Sequence, residues 1–350
     1  MNNRLEVLDS LRGLAALVVV IYHFTYRYYY IYPQETKLIF SFYEGKYGVQ
    51  AFFIISGFVI FMTLNRVERP IDFIMSRFAR LYPVFWFCML LTFTIVFLLG
   101  LEGRERTITE MIINLTMIPS VFNTPYVDGV YWTLLYELKF YFWIFVIFSI
   151  GQLKNINIII LTYIIIAFIV HFTEYDSFFI NILYKLFIFD TLPYFLSGIL
   201  FYQIYFYKRD KFVYLTLFLC FLYCHLTNHY NNGLISLTLI YLLFLFFSFR
   251  KLNWLSNKFF IYLGTISYSL YLIHQNIGYI ILNNLYLLNL QPLISFSITL
   301  FLVILIATLI TYFIEKPSIT FFKKLFKSNE FLIQKLSNKN LFKFLYKKMK

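Results

Sequence analysis

An arginine and a histidine stand near opposite ends of the apolar stretch LRGLAALVVVIYHF, which runs from Leu11 to Phe24. Arg12 carries a permanent positive charge, whereas an imidazole, the side chain of His23, ordinarily titrates near neutral pH and is suited to proton transfer. In a helix, eleven residues correspond to about 1100° of rotation and a rise of about 16 Å, so the two side chains share one face. The spacing predicts a cation at the mouth of a helix and an imidazole deep within it. The alternative is a histidine that only bonds a neighbouring helix, beside an arginine that extends to the membrane surface.

Further polar groups interrupt other apolar stretches. SRFARLYP places Arg77 and Arg80 on one helical face, where paired guanidiniums can bind phosphate groups; ordinary positive charge at the cytoplasmic surface is the alternative. The remaining candidates lie in FFIISGF, VYWTLLYELKFYF, GTISYSLYLIHQN and FIEKPS, and they are Ser56, Trp132, Glu137, His274 and Glu315. In FFIISGF, the small residues Ser56 and Gly57 predict a close approach between two helices.

The composition indicates which solvent surrounds these stretches. The 350 residues are 61% hydrophobic and 13% charged, with a mean hydropathy of +0.72. Soluble domains are about half apolar and a quarter charged, so we predict an all-α polytopic membrane protein. Because a spanning helix needs about 20 mostly apolar residues, we predict about ten transmembrane helices. Their centres are expected near Val18, Ile55, Leu91, Phe142, Ile164, Leu196, Phe218, Leu242, Ile277 and Leu305.

The distribution of lysine and arginine predicts the orientation. If the N-terminus is cytoplasmic, 23 of the 30 basic residues fall on the inner side, so both the N- and C-termini are expected in the cytoplasm and the protein in the cell inner membrane. The net charge of +13 is then a topology signal, and a nucleic-acid partner is not expected because the charges are spread over separate loops. The first span lacks an A-x-A-like cleavage site and is expected to be retained.

Two domains are predicted from this pattern. Residues 1–317 are expected to form the transmembrane domain, and residues 318–350 a basic amphipathic cytoplasmic tail. Lysines alternate with apolar residues in the tail, which is typical of a helix held on the inner leaflet by membrane lipid. A lid over a cytoplasmic substrate entrance is the alternative.

A metal site is the competing interpretation of the stretch CFLYCHLTNH. It contains Cys220, Cys224, His225 and His229. Their spacing matches no familiar ligand pattern, so no metal is expected and the stretch is interpreted as the interfacial end of a helix.

Taken in order, these stretches resemble the acyltransferase-3 family of integral-membrane acyltransferases. The resemblance rests on LDSLRGLAALVVVIYHF, FFIISGF, SRFARLYP, WTLLYELKFY, GTISYSLYLIH and EKP, between residues 8 and 317. It implies transfer of an acyl group, usually acetyl, from a cytoplasmic acyl-CoA to a hydroxyl of an extracytoplasmic or lipid-linked glycan. Lipopolysaccharide, capsule, exopolysaccharide and peptidoglycan are the usual acceptors.

The resemblance also implies roles for individual residues. By position, His23 is the catalytic histidine, and Arg12, Arg77 and Arg80 belong to the arginines that bind the donor, acetyl-CoA or another acyl-CoA. These residue types suit that chemistry, because coenzyme A is polyanionic and an imidazole can take the proton of a sugar hydroxyl. A covalent acyl-histidine relay is the alternative mechanism.

Four further residues are predicted for the site. Glu137 is expected to orient His23 or bind the acceptor, unless it pairs with Lys139 or another helix. His274, Ser56 and Trp132 are predicted to contact the substrate, and packing is the alternative role of His274.

The sequence departs from the family pattern at two positions. Ser10 stands where a glycine is common, and Asn276 where a proline often follows the histidine of the ninth span. The second departure puts the local kink of that helix, and the role of His274, in doubt.

Two other classes of membrane protein share parts of this pattern. A polysaccharide polymerase or flippase is expected to carry its essential arginines in outer loops, and the long outer segment here has only Arg104 and Arg106. A secondary transporter is expected to have inverted halves with spans broken by glycine or proline, which the sequence lacks.

Overall fold

The protein is a bundle of helices, in a computed structural model that describes residues 5–67, 69–173, 178–207, 210–227 and 233–337. No strand occurs in these residues. The helices are α1 Glu6–Ile31, α2 Gly48–Leu64, α3 Pro70–Leu99, α4 Ile108–Asn114, α5 Trp132–Ser149, α6 Ile156–Phe172, α7 Phe178–Phe187, α8 Leu192–Phe206, α9 Lys211–Leu226, α10 Gly233–Ser248, α11 Lys258–Leu287, α12 Pro292–Ile310 and α13 Lys316–Ser337.

Seven helical stretches in the described part of the chain are long and apolar enough to cross a membrane. They are Glu6–Ile31, Tyr43–Leu64, Pro70–Leu99, Gly129–Ser149, Gln152–Phe172, Ile182–Phe206 and Pro292–Phe326. They confirm a multi-pass membrane protein but not the predicted count of about ten. The predicted centres of the seventh and eighth spans fall on α9 and α10, which have only 16 residues each, and that of the ninth on α11, whose buried face is rich in polar residues. The orientation stays a prediction.

Helices α1 and α11 run parallel along the centre of the bundle. A methyl group added at Gly13 of α1 would lie 2.4 Å from the backbone nitrogen of Gly264 on α11, so the two backbones nearly touch there. Gly13 and Gly264 are 251 residues apart in the sequence. His23 and His274, which also contact each other, have the same separation. The two helices therefore keep one register over about three turns.

Helices α2 and α8 approach each other equally closely. A methyl group added at Gly57 would lie 1.9 Å from the carbonyl oxygen of Phe195, and one at Gly198 would lie 2.0 Å from that of Ile54. Only residues without a side chain fit at both points. The close approach predicted from FFIISGF is confirmed.

Two π-helical segments interrupt the α-helical pattern. One covers His23–Arg27 inside α1, and the other covers Thr311–Glu315 between α12 and α13. Each contains one of the titratable residues selected from the sequence. Widened turns of this kind are frequent at functional sites.

The first turns of α13 pack on α3. The rings of Phe322 and Phe326 lie 5.7 and 6.3 Å from the ring of Phe78. The helix crosses the predicted domain boundary at residue 317 without a break. Residues 338–350 of the predicted tail lie outside the described part of the chain.

Candidate active site

Two histidines from different helices meet inside the bundle. Nδ1 of His23, at the start of the π-helical segment of α1, lies 3.1 Å from Nε2 of His274 on α11. Their ring centroids are 4.7 Å apart. His274 is fully buried, whereas His23 keeps some accessible surface. Both were predicted as site residues, but their direct contact was not.

Backbone carbonyl groups fix which nitrogen of each ring carries the hydrogen. Nδ1 of His274 lies 2.8 Å from the carbonyl oxygen of Tyr271, and Nδ1 of His23 lies 2.8 Å from that of Val19. A carbonyl oxygen only accepts hydrogen bonds, so in the neutral rings both Nδ1 atoms carry the hydrogen. His23 then donates to Nε2 of His274, and Nε2 of His23 keeps a free lone pair. That nitrogen is therefore a proton acceptor.

Three arginines line one cavity at the end of the bundle where α1, α3 and α11 begin, which we call the arginine end. Arg12 comes from α1, and Arg77 and Arg80 come from α3. Arg12 is also paired with Asp9, at 3.4 Å. The cavity holds about 90 Å³, well below the roughly 300–1,000 Å³ of pockets that enclose whole ligands. In this conformation it admits only a thin chain.

The deep end of this cavity approaches the histidine pair. Thr133 and Tyr271 line it there, and their hydroxyl oxygens are 2.9 Å apart. The ring centroid of Tyr271 lies 5.7 Å from that of His274. His23 is not among the lining residues. The side chain of Tyr271 therefore lies between the deep end of the cavity and the histidine pair.

Glu137 belongs to the arginine cavity. Its Oε1 accepts hydrogen bonds from the hydroxyls of Ser56, at 2.9 Å, and Tyr141. Among the described hydrogen bonds it has none to His23 or Lys139, and Nζ of Lys139 donates to a backbone carbonyl of the α7 region. Because Ser56 on α2 faces Glu137 on α5, no described hydrogen bond joins Glu137 to His23, and its predicted roles in orienting His23 or binding the acceptor stay predictions. Ser56 lies in the cavity with the arginines, and His274 makes the direct contact with His23.

The two remaining candidates lie apart from the histidine pair. Trp132 is the first residue of α5, is 39% exposed and is not among the residues that line the arginine cavity. Glu315 is buried in the second π-helical segment, where it accepts a hydrogen bond of 2.8 Å from Ser269. The charges of Arg80 and Arg12 act on its carboxyl group. Glu315 therefore lies close to the arginine end.

A second pocket opens on the other side of His23. It has a volume of about 400 Å³ and is lined by Thr25, Tyr26, Tyr29, Tyr30, Pro33, Lys37, Leu38 and Ser41. The ring of Tyr26 stacks on Tyr22 at 5.8 Å, and Tyr22 meets His23 edge-on at 4.9 Å. We call it the tyrosine pocket. The histidine pair lies between it and the arginine cavity.

Sequence reasoning missed two tyrosines that complete the site. Tyr271 precedes His274 by three residues, and Tyr141 follows Glu137 by four, so each shares a helix face with a residue already selected. That spacing was an available signal. The π-helical turn that begins at His23 had no counterpart in the hydropathy pattern.

No metal-binding cluster of three His, Cys, Asp or Glu side chains occurs in the described residues. Cys220 and Cys224 are buried free thiols. His225 is stacked beside Phe221, with ring centroids 6.5 Å apart. His229 lies outside the described residues.

Comparison with known proteins gives two matches. A family model described as "Acyltransferase domain", of the acyltransferase-3 family, matches residues 5–312. Acyltransferase MdmB of Streptomyces mycarofaciens is 29% identical over 150 residues, which cover 39% of this chain and 38% of that protein. The chain thus matches well under half the length of this relative. No solved structure matches.

Proposed function

Since the chain belongs to the acyltransferase-3 family, we propose that it transfers an acetyl group from acetyl-CoA, bound at the arginine end, to a hydroxyl of a cell-surface glycan at the opposite end. The observation that carries the proposal is the position of the histidine pair between the arginine cavity and the tyrosine pocket. We propose that the protein lies in the cell inner membrane with the arginine end on the cytoplasmic side. The acceptor then reaches His23 from outside.

The arginine cavity fits the donor in charge and in shape. Coenzyme A carries phosphates on a thin arm that ends in the thioester. Arg77 and Arg80 come from one face of α3, and guanidinium groups bind phosphates in a bidentate geometry. We propose that the phosphates stay at the mouth while the arm passes Ser56 and Tyr271 toward the histidine pair.

Nε2 of His23 supplies the base. It takes the proton of the acceptor hydroxyl while the hydroxyl oxygen attacks the thioester carbonyl carbon. The tetrahedral intermediate then breaks its C–S bond, and the proton on His23 passes to the departing coenzyme A sulfur. An ester and a free thiol result, and His23 returns to its neutral form. A relay through an acyl-histidine uses the same nitrogen, but it would leave the acyl label on the protein when acceptor is withheld.

The acceptor side offers groups suited to a sugar. The tyrosine pocket presents aromatic faces and hydroxyls close to His23.

Replacement of His23 tests the chemistry. In membranes from cells that carry the acceptor glycan, His23→Ala should abolish incorporation of label from [¹⁴C]acetyl-CoA while the amount of membrane protein stays normal. His171→Ala is the matched control, since His171 lies on α6 outside both pockets. Substantial remaining transfer in His23→Ala would refute the assignment.

Replacement of the arginines tests the donor site. We expect Arg77→Gln with Arg80→Gln to raise the KM for acetyl-CoA, because the phosphates lose both guanidinium partners. Arg69→Gln is the control, because Arg69 precedes the same helix and forms an ion pair with Asp72. An unchanged KM for acetyl-CoA would show that Arg77 and Arg80 do not bind the donor and serve only to orient the protein in the membrane.

A deletion strain distinguishes the proposed reaction from glycan assembly. Loss of base-labile acetyl groups from a glycan of normal length supports acyl transfer. A shortened or missing glycan with unchanged acetylation per repeat would instead indicate a polymerase or flippase.

A further inference from the structure

The segment from Val127 to Thr133 holds α11 at the turn that carries His274. The hydroxyl of Tyr271 donates to the carbonyl oxygen of Val130, at 3.1 Å, and lies 2.9 Å from the hydroxyl of Thr133. The side-chain amide of Asn276 donates to the carbonyl oxygen of Val127 at 2.9 Å. The segment thus contacts α11 on both sides of the histidine.

The same segment engages both backbone groups that a regular helix would pair across this turn. The amide N–H of Asn276 donates to Oδ2 of Asp128 at 3.0 Å, and the carbonyl oxygen of Leu272 accepts from the hydroxyl of Tyr131 at 3.0 Å. These are the donor and acceptor of the helical hydrogen bond from residue 276 to residue 272. These side chains hold the turn from outside the helix, and α11 stays α-helical from Lys258 to Leu287. His274 lies at the centre of that turn.

Asp128 is placed where a carboxylate is costly. Its side chain is fully buried, and its Oδ1 accepts the N–H of Val130 at 3.2 Å. Within the described residues it forms no ion pair, although the charge of Arg104 acts on it, and it is not among the residues that line the arginine cavity. Burying a carboxylate is unfavourable unless hydrogen bonds and nearby charges replace its solvent. Oδ1 caps the turn at Val130, and Oδ2 accepts the hydrogen bond from α11.

We propose that Asp128 is a positioning residue for acyl transfer: by accepting the N–H of Asn276 it holds the 272–276 turn of α11 so that Nε2 of His274 faces His23. This inference rests on the proposed function of the histidine pair. A proline at position 276 would have no N–H for Asp128 to accept.

The geometry leaves little tolerance for movement of this turn. The hydrogen bond between the two rings is already 3.1 Å long, at the long end of the normal range. A shift of about 1 Å breaks such a bond, and misplacements of that size cost on the order of 100-fold in rate. Asp128→Ala should therefore lower the maximal rate of acetyl transfer by ~100-fold. The KM for acetyl-CoA should stay within about twofold, because the arginine cavity is built from other residues.

A second substitution tests whether Asp128 acts through the N–H of Asn276. In Asn276→Pro the N–H that Asp128 accepts is gone, so adding Asp128→Ala to that variant should lower the maximal rate by less than about tenfold. A merely structural loss would instead be ~100-fold in both backgrounds. All variants are assayed in native membranes with [¹⁴C]acetyl-CoA and are normalised to protein amount. Glu110→Gln is the control, because Glu110 is a carboxylate of the same outer segment that caps α4.

Each outcome decides the question. An unaffected Asp128→Ala, or a loss from Asp128→Ala as large in Asn276→Pro as in the wild type, overturns the proposal, while a wild type without acetyl transfer contradicts the proposed function instead. If Asp128→Ala does not accumulate, Tyr131→Phe removes only the hydroxyl that binds Leu272 and keeps the ring packed on Phe85. That variant should lose about tenfold in maximal rate with KM unchanged, and full activity in it would refute the role of this turn.

Discussion

Removal of the His274 imidazole measures what the second histidine contributes. In the ground state, Nδ1 of His23 donates to two acceptors, the carbonyl oxygen of Val19 and Nε2 of His274. When Nε2 of His23 takes the proton of the acceptor hydroxyl, the ring becomes an imidazolium and the bond to His274 becomes charge-assisted. Hydrogen bonds to charged groups contribute about 1.5–3 kcal/mol, which corresponds to roughly 10- to 150-fold in rate. We therefore expect His274→Ala to lower the maximal rate by that factor.

His274→Ala should lose only part of the activity, because the N–H of His23 keeps its second hydrogen-bond acceptor. The carbonyl oxygen of Val19, at 2.8 Å, still holds the hydrogen on Nδ1 of His23 and leaves Nε2 free to act as the base. His274→Gln should lose less than His274→Ala, because the glutamine amide oxygen can reach the position of the imidazole Nε2. Initial rates of label transfer from [¹⁴C]acetyl-CoA in native membranes give both values, and His171→Ala again serves as the control. A His274→Ala variant as inactive as His23→Ala would show that His274 itself is the base, and an unchanged rate would reduce the contact to packing.

Three further changes test other parts of the structure. An added methyl group at Gly57 would lie 1.9 Å from the carbonyl oxygen of Phe195, so Gly57→Ala should push α2 from α8 and lower the free energy of unfolding by ~1–3 kcal/mol; an unchanged Tm of the detergent-solubilised protein would contradict this. Burial raises the pKa of the Asp128 carboxyl to about 6, so acetyl transfer should fall as the pH drops through 6, and Asp128→Asn should lack this step. The fold should gain stability over the same pH range, because a carboxyl whose pKa is raised in the folded state binds its proton more tightly there; a parallel loss of Tm would refute the linkage. Trp132→Ala should leave the KM for acetyl-CoA unchanged, since Trp132 lies outside the arginine cavity, and a raised KM would place it in the donor site.

The sequence predicts those parts of the site that depend on a single helix. Arg12 and His23 lie along α1 as their spacing requires, and Arg77 and Arg80 line one cavity from one face of α3. Gly57 marks a real helix contact, because a missing side chain is a local feature whatever its partner.

Contacts between helices distant in sequence were beyond this reasoning. The partner of His23 is 251 residues away, and nothing local distinguishes His274 from a packing histidine until α1 and α11 are known to be neighbours. Glu137 illustrates the same difficulty: its place along α5 could be estimated, but Ser56 on α2 and the arginines are its neighbours only through packing. Asp128 has the local pattern of a turn cap before GVYW, which explains its bond to Val130 and gives no hint of its bond to α11.

The distribution of charge gives a physical reason for a pair of histidines at this depth. Full charges line the arginine cavity, where Glu137 and the phosphates of a bound donor can offset the guanidiniums. The groups that contact His23 directly are neutral side chains and a backbone carbonyl, which cost far less to bury than an ion, and the charges of Arg27 and Arg104 also act on it. A carboxylate at position 274 would hold the imidazolium of His23 more strongly, but it would remain charged in every state of the cycle. A neutral imidazole accepts the hydrogen bond equally well at rest and strengthens it only when His23 becomes charged, so the stabilisation appears mainly in the transition state.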